Sequence, residues 1–364
     1  MIFFINMNSD VTSAFTELSE DVQGLISNAE AGNAEAQYEL ARAYHFGWDV
    51  ETDTAKALLW YGRAADQGHG DAQNNLGSMY EYGTGTDVNI DKAVELYKAS
   101  AEQGNSWGQY SLGASYDQGT GVIEDDEKAV YWLRKSADQG HAKAQNHLGA
   151  MYFNGEGTPQ DQAKGIEYYH LAAKQDNVTA MNNLGYVYRN GKGAEQDISK
   201  AISYYERAAE QDDSDSIFQL AYIYDLGDSV PEDNAKAARY YRRAGKLGEG
   251  MAYYNLGVMY DTADGFKQNY EQAHRYYAKA VKLGVADAQN NYGYQYLHGE
   301  GVKKDRQKAY MWFTIAAENG ADLATENLES AKIFLSKRKR KDMDALAAQC
   351  IKSGYEDCET LKGQ

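Results

Sequence analysis

The sequence has very little proline and cysteine, and it lacks any long hydrophobic run. Only two of its 364 residues are proline and two are cysteine. No segment approaches the roughly 20 consecutive apolar residues that a membrane-spanning helix needs, so we predict no membrane span. Tyrosine, by contrast, occurs 31 times. A chain rich in tyrosine and alanine and poor in proline favours helices that pack through aromatic and small side chains.

Basic residues are also scarce. The chain has 36 Lys and Arg against 54 Asp and Glu, which gives a formal net charge of −18. This charge argues against a nucleic-acid backbone or an anionic membrane as the main partner. The exception is the basic run Lys337-Arg-Lys-Arg-Lys341. We interpret this run as a solvated helix face, and the alternative is contact with an acidic partner or an anionic lipid.

The two ends of the chain give conflicting indications of the cellular compartment of the protein. Met1-Ile-Phe-Phe-Ile5 is apolar but lacks both a basic leader and a full hydrophobic segment, so it does not qualify as a signal peptide; either Met1 or Met7 could be the native start. Cys350 and Cys358 could close a small disulfide in an oxidising compartment, or they could be two free thiols near a frayed end. The missing leader favours the cytoplasm and the cysteine pair favours export.

A pattern that returns every 36 residues organises most of the chain. Its anchor is a leucine, followed four residues later by tyrosine; the anchor positions are Leu40, Leu76, Leu112, Leu148, Leu184, Leu220, Leu256 and finally Tyr292. A fixed period in this range is typical of stacked repeats. We therefore predict an N-terminal capping helix within 1–32, capping helices and a tail in 321–364, and eight repeats between them. The predicted repeats are 33–68, 69–104, 105–140, 141–176, 177–212, 213–248, 249–284 and 285–320.

Each repeat is predicted to be a helix-turn-helix unit. Asp or Asn stands at the start of every second helix, where these residues accept hydrogen bonds from exposed backbone N–H groups; the eight positions are Asp53, Asn89, Asp125, Asp161, Asp197, Asp233, Asn269 and Asp305. A glycine usually follows the anchor in the middle of the first helix, where it costs about 1 kcal/mol relative to alanine. We expect a neighbouring backbone to approach there. Asp176, Asp212 and Ala263 replace turn glycines, so local bends are expected beside them.

The unit A-x-x-x-L-G-x-x-Y, then G-x-G, then D-x-x-K-A-x-x-Y/W-Y-x-x-A-A-x-x-G, resembles the Sel-one-like repeat family over about residues 33–320. The resemblance implies an all-α, right-handed superhelix related to tetratricopeptide repeats, acting as a scaffold or adaptor for other proteins. Many members are bacterial and serve signalling, envelope functions or host contact. No repeat contains cysteine, so this chain is unlike the members with a disulfide in every repeat, although a terminal cysteine pair is similar to exported members.

No catalytic or metal-binding pattern stands out. The recurring Gly-x-Gly is not followed by Gly-Lys-Ser/Thr and no strand precedes it, so it is predicted to be a helix turn rather than a phosphate loop. The seven histidines form neither H-x-x-x-H nor H-E-x-x-H. We therefore predict no enzyme activity, no cofactor and no metal.

A binding surface remains, on the face of the first helices opposite the anchor. We define this first-helix face by the positions two before, two after and five after the anchor. In tetratricopeptide repeats this face lines the concave groove. Its aromatic members are candidate binding anchors: Tyr38, Tyr110, Tyr186, Phe218, Tyr222, Tyr254 and Tyr294. Plain packing between repeats is the alternative role for these rings.

An asparagine ladder lies beside this face, one residue before the anchor. Its members are Asn75, Asn183, Asn255 and Asn291. An amide carries both a donor and an acceptor, so a row of amides could pair with an extended peptide backbone. The alternative is that these amides hold adjacent first helices together.

The sequence thus predicts a non-catalytic scaffold that holds a protein or peptide partner in the groove, with the aromatic fifth to eighth repeats as main contact. The alternative is a binder of glycans or cell-wall material, since tyrosine faces also stack on sugars. No nucleic-acid partner is expected. A monomer is compatible with these patterns, which do not fix the oligomeric state.

Overall fold

The computed structural model describes residues 20–227, 230–356 and 358. This part of the chain contains nineteen α-helices and no strand, which confirms the all-α prediction. The helices fall into two compact units, Met1–Gln175 and Asp176–Gln364. The apolar segment 1–5, Met7 and the first half of the predicted N-terminal helix, with Phe15 and Leu18, lie outside the described residues.

The first unit consists of one leading helix and four helix pairs. Each pair is one repeat, with an even-numbered first helix and an odd-numbered second helix. The helices are α1 (Glu20–Glu30), α2 (Ala34–Phe46), α3 (Thr54–Asp66), α4 (Gly70–Tyr82), α5 (Ile90–Glu102), α6 (Ser106–Gln118), α7 (Asp126–Asp138), α8 (Ala142–Asn154) and α9 (Gln162–Ala173).

The second unit consists of four further pairs and two final helices. They are α10 (Val178–Asn190), α11 (Ile198–Ala209), α12 (Ser214–Leu226), α13 (Asn234–Lys246), α14 (Gly250–Thr262), α15 (Tyr270–Lys282), α16 (Ala286–His298), α17 (Arg306–Glu318), α18 (Ala324–Lys332) and α19 (Lys337–Lys352).

Side-chain caps begin all eight second helices. Every predicted Asp or Asn is an N-cap whose side-chain oxygen accepts a backbone hydrogen bond from the first turn of its helix. Asp53, for example, accepts from the Lys56 N–H at 2.9 Å. Each such cap contributes about 1 kcal/mol. The predicted starts of the second helices are therefore confirmed.

Two histidines cap first helices, a role that sequence analysis did not assign. The Nδ1 atoms of His69 and His141 accept hydrogen bonds from the N–H groups of Ala72 and Ala144, each at 3.2 Å. Burial, and to a lesser degree the charge of Lys143, lowers the pKa of His141 to about 4. Both the hydrogen bond and the pKa shift keep this imidazole neutral at pH 7.

The glycine after the anchor makes room for a large side chain of the second helix, which is a ring at five glycines and Leu133 at Gly113. A Cβ atom added to Gly77 would lie 2.7 Å from the Tyr97 ring of the same repeat, and one added to Gly257 would lie 2.4 Å from the Tyr277 ring. The backbone oxygen of Ala93 is the next group at Gly77, at 3.1 Å. A backbone atom of the second helix therefore approaches Gly77, as expected, but a side chain of the same helix lies closer still.

The three residues that replace turn glycines keep the left-handed backbone conformation of those glycines. Ala263 takes the left-handed conformation with φ of 64°, in the place of the glycines that end the other first helices. Asp176 and Asp212 are also left-handed, each with φ of 57°. Asp212 accepts a charged hydrogen bond from Arg243 at 2.7 Å, and Asp176 pairs with Arg207 at 3.0 Å. The second helices before the two aspartates, α9 and α11, have 12 residues where the other six have 13, so these two inter-repeat turns differ locally, as expected. The first helix that Ala263 ends keeps the usual 13 residues.

Buried glutamines connect consecutive repeats in the first unit. Gln73 on α4 donates to the Ala65 carbonyl of the preceding repeat at 3.2 Å and accepts from Gln103 at 2.7 Å. Gln109 on α6 donates to the Ala101 carbonyl at 3.4 Å. Such buried amides are satisfied only when adjacent repeats are in register. They therefore fix the relative position of α4 and α6, on which the candidate site depends.

Additional helices cover both ends of the array. At the start, Val22 and Ala29 of α1 are buried against the first repeat, and Gln37 donates to the Ala29 carbonyl at 2.9 Å. At the end, α18 and α19 pack on α17, with Leu346 buried. Helices are therefore present before the first repeat and after the last, where the capping helices are predicted.

A disulfide joins Cys350 of α19 to Cys358, with 4.6 Å between the two Cα atoms. Cys350 is fully buried. The segment closed by this bond includes Tyr355, whose hydroxyl oxygen accepts a hydrogen bond from Asn319 at 2.9 Å. The disulfide thus holds the segment after α19 against that helix, and the hydrogen bond connects the segment to Asn319 at the end of the last repeat.

Candidate functional site

A cleft of about 370 Å³ opens on the first-helix face of the first unit, mainly between α4 and α6. Its volume lies within the range of small-molecule and side-chain pockets. The lining residues are Asn74, Asn75, Ser78, Glu81, Tyr82, Tyr97, Trp107, Tyr110, Ser111, Ala114, Ser115, Gln118, Thr120 and Lys143. Two of them, Asn75 and Tyr110, belong to the predicted site.

Small side chains open this cleft. The position two after the anchor is Ser78 on α4 and Ala114 on α6, whereas Tyr186, Tyr222 and Tyr294 occupy it in the fifth, sixth and eighth repeats. A serine or alanine at this position leaves a gap between neighbouring first helices that a tyrosine ring could fill. The cleft therefore arises where the repeat is least aromatic at this position.

Aromatic rings form one wall of the cleft. Trp107 is 46% exposed, and its ring lies 4.3 Å from the His141 ring in an edge-to-face arrangement. Tyr110 is half-buried with its ring 5.0 Å from His141. The Lys143 ammonium lies 5.8 Å from the Trp107 ring centroid. An exposed indole held by a neutral imidazole is a rigid apolar anchor, and Trp and Tyr dominate the binding energy of many interfaces.

A carboxylate and a second exposed ring stand beside this wall. Glu81 accepts a hydrogen bond from the buried Tyr97 hydroxyl at 2.6 Å. The next residue, Tyr82, is 72% exposed. The negative charge of Glu81, followed by burial, raises the pKa of Tyr82. Glu81 is thus oriented by the protein itself, while the Tyr82 face is available to a ligand.

The polar lining is partly engaged within the protein. Ser111 donates to the Oδ1 atom of Asn74 at 2.8 Å, across the two first helices. Asn75 donates to the Tyr61 hydroxyl of the preceding repeat at 3.3 Å. These bonds orient the amides that face the cleft.

In the second unit, two of the predicted aromatic anchors are exposed. Tyr186 is 44% exposed and Tyr294 is 42% exposed. The Lys192 ammonium donates to the Tyr186 hydroxyl at 2.6 Å, and the Tyr294 ring lies 4.2 Å from the His298 ring. These two rings present free faces that a partner could contact.

Three of the other predicted aromatics pack against the second helix of their own repeat, and a fourth, Tyr222, packs against first-helix residues. The ring of Phe218 lies 5.6 Å from Tyr241, that of Tyr254 lies 6.1 Å from Tyr277, and that of Tyr38 lies 6.0 Å from Tyr61. Tyr222 stacks beside Phe218 at 6.4 Å and lies under the Arg189 guanidinium at 4.9 Å. For these four rings, packing within the array accounts for at least part of their role.

The asparagine ladder is engaged with buried tyrosines. Asn291 donates to the Tyr277 hydroxyl of the preceding repeat at 3.3 Å, as Asn75 does to Tyr61. A side-chain hydrogen bond from Asn255 lowers the pKa of Tyr241, a minor effect beside burial, which raises it. Asn183 also has a partner within the protein. The ladder therefore connects a first helix to the preceding second helix, rather than one first helix to the next.

Two of these buried second-helix tyrosines, Tyr241 and Tyr277, also donate a hydrogen bond to an aspartate on the first helix of the same repeat. In both repeats this aspartate lies five residues after the anchor. Tyr241 donates to Asp225 at 2.9 Å, and Tyr277 donates to Asp261 at 3.1 Å. The second carboxylate oxygen of each aspartate is buried and has no hydrogen-bond partner. Burial raises the pKa of both carboxyl groups. The arrangement recurs at the period of the repeat, which indicates structural bonding.

The described residues contain no cluster of three or more His, Cys, Asp or Glu side chains that could hold a metal ion. Within the same ranges, no helix combines the length and the hydropathy that crossing a membrane requires.

Sequence analysis missed the two most exposed rings of the cleft. Trp107 lies five before its anchor and Tyr82 six after, both outside the three positions used to define the face. A signal was present, because the residue equivalent to Trp107 is Asp71 in the preceding repeat and Lys143 in the next, and that equivalent to Tyr82 is Gln118 in the next. An aromatic residue at a position that is mostly polar could have identified Trp107, whereas the signal at Tyr82 is weaker because Phe46 and Leu226 occupy the equivalent position in two other repeats.

Comparison with known proteins identifies the repeat. The family model described as the Sel1 repeat matches eight segments, at residues 34–69, 70–105, 108–141, 142–177, 178–213, 214–249, 250–285 and 286–320. These segments account for most of the chain. No curated protein matches.

Two solved structures are similar over most of their length. A Sel1 repeat protein from Oxalobacter formigenes is 31% identical, with a TM-score of 0.63 over 86% of this chain and 90% of that chain. A protective antigen present in uropathogenic Escherichia coli strains, displaying an SLR fold, is 30% identical, with a TM-score of 0.51 over 94% of this chain and 82% of that chain.

Proposed function

This chain belongs to the Sel1 repeat family, and from that premise we propose that it is a non-catalytic interaction scaffold whose first-helix face holds a peptide segment of a protein partner. Sel1 repeats support a protein-interaction role in general. The finer proposal names the surface: the cleft between α4 and α6 is its main contact, and the exposed rings of Tyr186 and Tyr294 are the corresponding contacts in the second unit.

The observation that carries this proposal is the composition of the cleft. Exposed Trp107 and Tyr82 rings flank a polar lining that includes the exposed amide of Gln118. Aromatic anchors supply affinity by burying apolar area, and amides can pair with the backbone of an extended segment. A pocket of about 370 Å³ has room for one or two side chains of such a segment.

The absence of a catalytic role is part of the same proposal. The polar groups of the cleft, among them Glu81 and Ser111, are bonded to Tyr97 and Asn74. The Ser111 hydroxyl donates to Asn74 and the Ser115 hydroxyl donates to the Ser111 carbonyl, so neither of these two serines of the cleft is paired with a base as nucleophilic catalysis needs. The cleft is therefore better suited to recognition than to chemistry.

A peptide-display selection tests this function. Random peptides would be selected on the whole chain, and the dissociation constants of the winners would be measured by calorimetry. We expect Trp107→Ala to weaken binding by roughly 30-fold, which is the effect of removing an interface hot spot of about 2 kcal/mol. The matched control is Tyr131→Ala, because Tyr131 is 52% exposed on the second helix α7 and does not line the cleft.

Peptides that bind wild type and Trp107→Ala equally would contradict the proposed surface. A selection that yields no peptide above background would contradict the peptide-binding function itself. Circular dichroism of each variant separates a lost contact from a lost fold.

A glycan is the second candidate ligand, favoured by the same exposed rings beside hydroxyl and amide groups. Soluble cell-wall oligosaccharides would be titrated while Trp107 fluorescence is followed. Saturable quenching by an oligosaccharide, with no peptide recovered from the selection, would favour glycan binding over peptide binding.

A further inference from the structure

A second surface, at the C-terminal end, combines positive charge with exposed apolar side chains. We propose that this surface, formed by Ile333, Phe334 and the basic run 337–341, docks on an anionic lipid membrane. The inference goes beyond the scaffold function and rests on different residues.

The basic run lies in the first turns of α19. Lys337, Arg338, Lys339 and Lys341 are exposed and Arg340 is half-buried. In the described part of the chain, none of these five cations forms an ion pair. Cations at a helix N-terminus oppose the helix dipole, and neighbouring cations repel one another. The run therefore does not stabilise α19, and an external anion would relieve its charge.

Apolar side chains are exposed directly before this run. Ile333, which follows α18, is 81% exposed, and Phe334 is 49% exposed. The Arg306 guanidinium lies 4.3 Å from the centre of the Phe334 ring. Exposed aliphatic and aromatic side chains next to several basic residues are the combination by which interfacial segments bind membranes, the apolar groups entering the headgroup region and the cations attracting anionic lipid.

A cleft lies within the basic surface. It has a volume of about 660 Å³ and is lined by Tyr310, Lys337, Arg338, Arg340, Lys341 and Asp344. The Nε atom of Arg340 is buried and has no hydrogen-bond partner, while the Tyr310 hydroxyl donates to Asp344 at 2.9 Å. A buried guanidinium N–H without a partner is a donor that a phosphate oxygen could satisfy.

The acidic remainder of the chain does not prevent such docking. Of the net charge of −18, residues 1–32 carry −5 and the repeats 33–320 carry −13, while residues 321–364 hold eight cations and eight carboxylates. Five of these cations are consecutive in the basic run, with Asp342 and Asp344 after them on α19. Charges more than about 8–10 Å away are screened at physiological ionic strength, so the run is a local positive surface, and charge complementarity selects an anionic surface over a zwitterionic one.

Vesicle co-sedimentation of the full chain tests the proposal. We expect binding to vesicles of phosphatidylglycerol and phosphatidylcholine, none to phosphatidylcholine alone, and a decline with added NaCl. The triple variant Lys337→Ala, Arg338→Ala, Lys341→Ala should lose affinity on the order of 100-fold, since each cation near an anionic surface accounts for about a 5-fold change. Ile333→Ser with Phe334→Ser should also weaken binding, at every salt concentration.

The matched control removes three exposed lysines elsewhere, Lys98→Ala, Lys174→Ala and Lys246→Ala, and should retain binding. Equal sedimentation of wild type and the Lys337, Arg338, Lys341 variant would overturn the proposal, as would equal binding to phosphatidylcholine. Calorimetry with inorganic phosphate and with poly-glutamate distinguishes other anions. Binding of either by a protein that leaves anionic vesicles unbound would assign the surface to a soluble phosphate or an acidic protein, and would also overturn it.

Discussion

Among single residues, the histidines illustrate how a position in a repeat gives a side chain its role. His69 and His141 occupy the N-cap position of first helices, where Asn33, Asn105 and Asn177 stand in other repeats. An imidazole can accept the capping hydrogen bond only through an unprotonated nitrogen. The cap therefore depends on pH at His141 and not at the asparagines.

We predict that His141→Asn removes a pH-dependent part of the stability. The pKa of His141 is lowered to about 4 from about 6.5 in the unfolded chain. Its contribution to the free energy of unfolding is thus complete above pH 6.5 and is lost as the pH falls toward 4. After discounting for solvent screening of a half-buried group, we expect about 1 kcal/mol.

Urea denaturation of wild type and His141→Asn at pH 7.5 and 4.5 measures this effect. The variant should gain about 1 kcal/mol relative to wild type on going to pH 4.5, because asparagine caps at both pH values. Groups common to both proteins cancel in this difference. A difference that does not change with pH would show that His141 is not a neutral cap.

Single residues also show which roles can be predicted from the sequence. The caps at Asp53 and its seven equivalents were predictable because capping needs only a local residue type and a fixed spacing. The roles of Asn75 and Asn291 were not, because their partners, Tyr61 and Tyr277, lie fourteen residues away in another helix. Which helix faces them depends on the packing of one repeat on the next.

Between elements, the close packing of the two helices of a repeat depends on the mid-helix glycine. A Cβ at Gly77 would lie 2.7 Å from the Tyr97 ring, whereas one at Gly62, also within a helix of the first unit, would have no atom within 4 Å. Both substitutions remove the helical cost of glycine, but only one creates a clash.

We predict that Gly77→Ala destabilises the protein by about 1–3 kcal/mol through overpacking. Its control, Gly62→Ala, should stabilise by about 0.5–1 kcal/mol, since alanine is the better helix former. Urea denaturation of the two variants beside wild type measures both changes. A stabilising Gly77→Ala would mean that α4 and α5 are not held at this distance by the Tyr97 ring.

The cleft shows where element-level prediction stops. The sequence analysis defined the first-helix face on the first helix of each repeat and favoured the aromatic repeats as the contact surface. The structure packs Phe218 on Tyr241 and Tyr254 on Tyr277, while Ser78 and Ala114 line an open cleft. Whether an aromatic residue fills space or presents a face depends on its neighbours across the interface, which a one-dimensional pattern does not contain.

At the scale of the whole molecule, the 36-residue period of the sequence predicts the order and pairing of the helices. The period predicted eight units with caps, and α1 and the pair α18–α19 lie where those caps are predicted. Stacked repeats contact mainly their neighbours, so the surface of each unit is set locally, and different stretches can serve different partners. The proposed peptide cleft in the second to fourth repeats and the proposed lipid-binding surface after the last repeat are examples.

The central claim is that the cleft between α4 and α6 is where a protein partner binds. Site-specific photo-cross-linking in the native host tests it most directly, with a photoreactive phenylalanine analogue at Tyr82, which is 72% exposed in the cleft, or at Tyr131, which is 52% exposed outside it. We predict one discrete cross-linked protein from position 82, lost on Trp107→Ala, and none from position 131. The same product from both positions, or none from position 82 while position 131 gives one, would contradict the account.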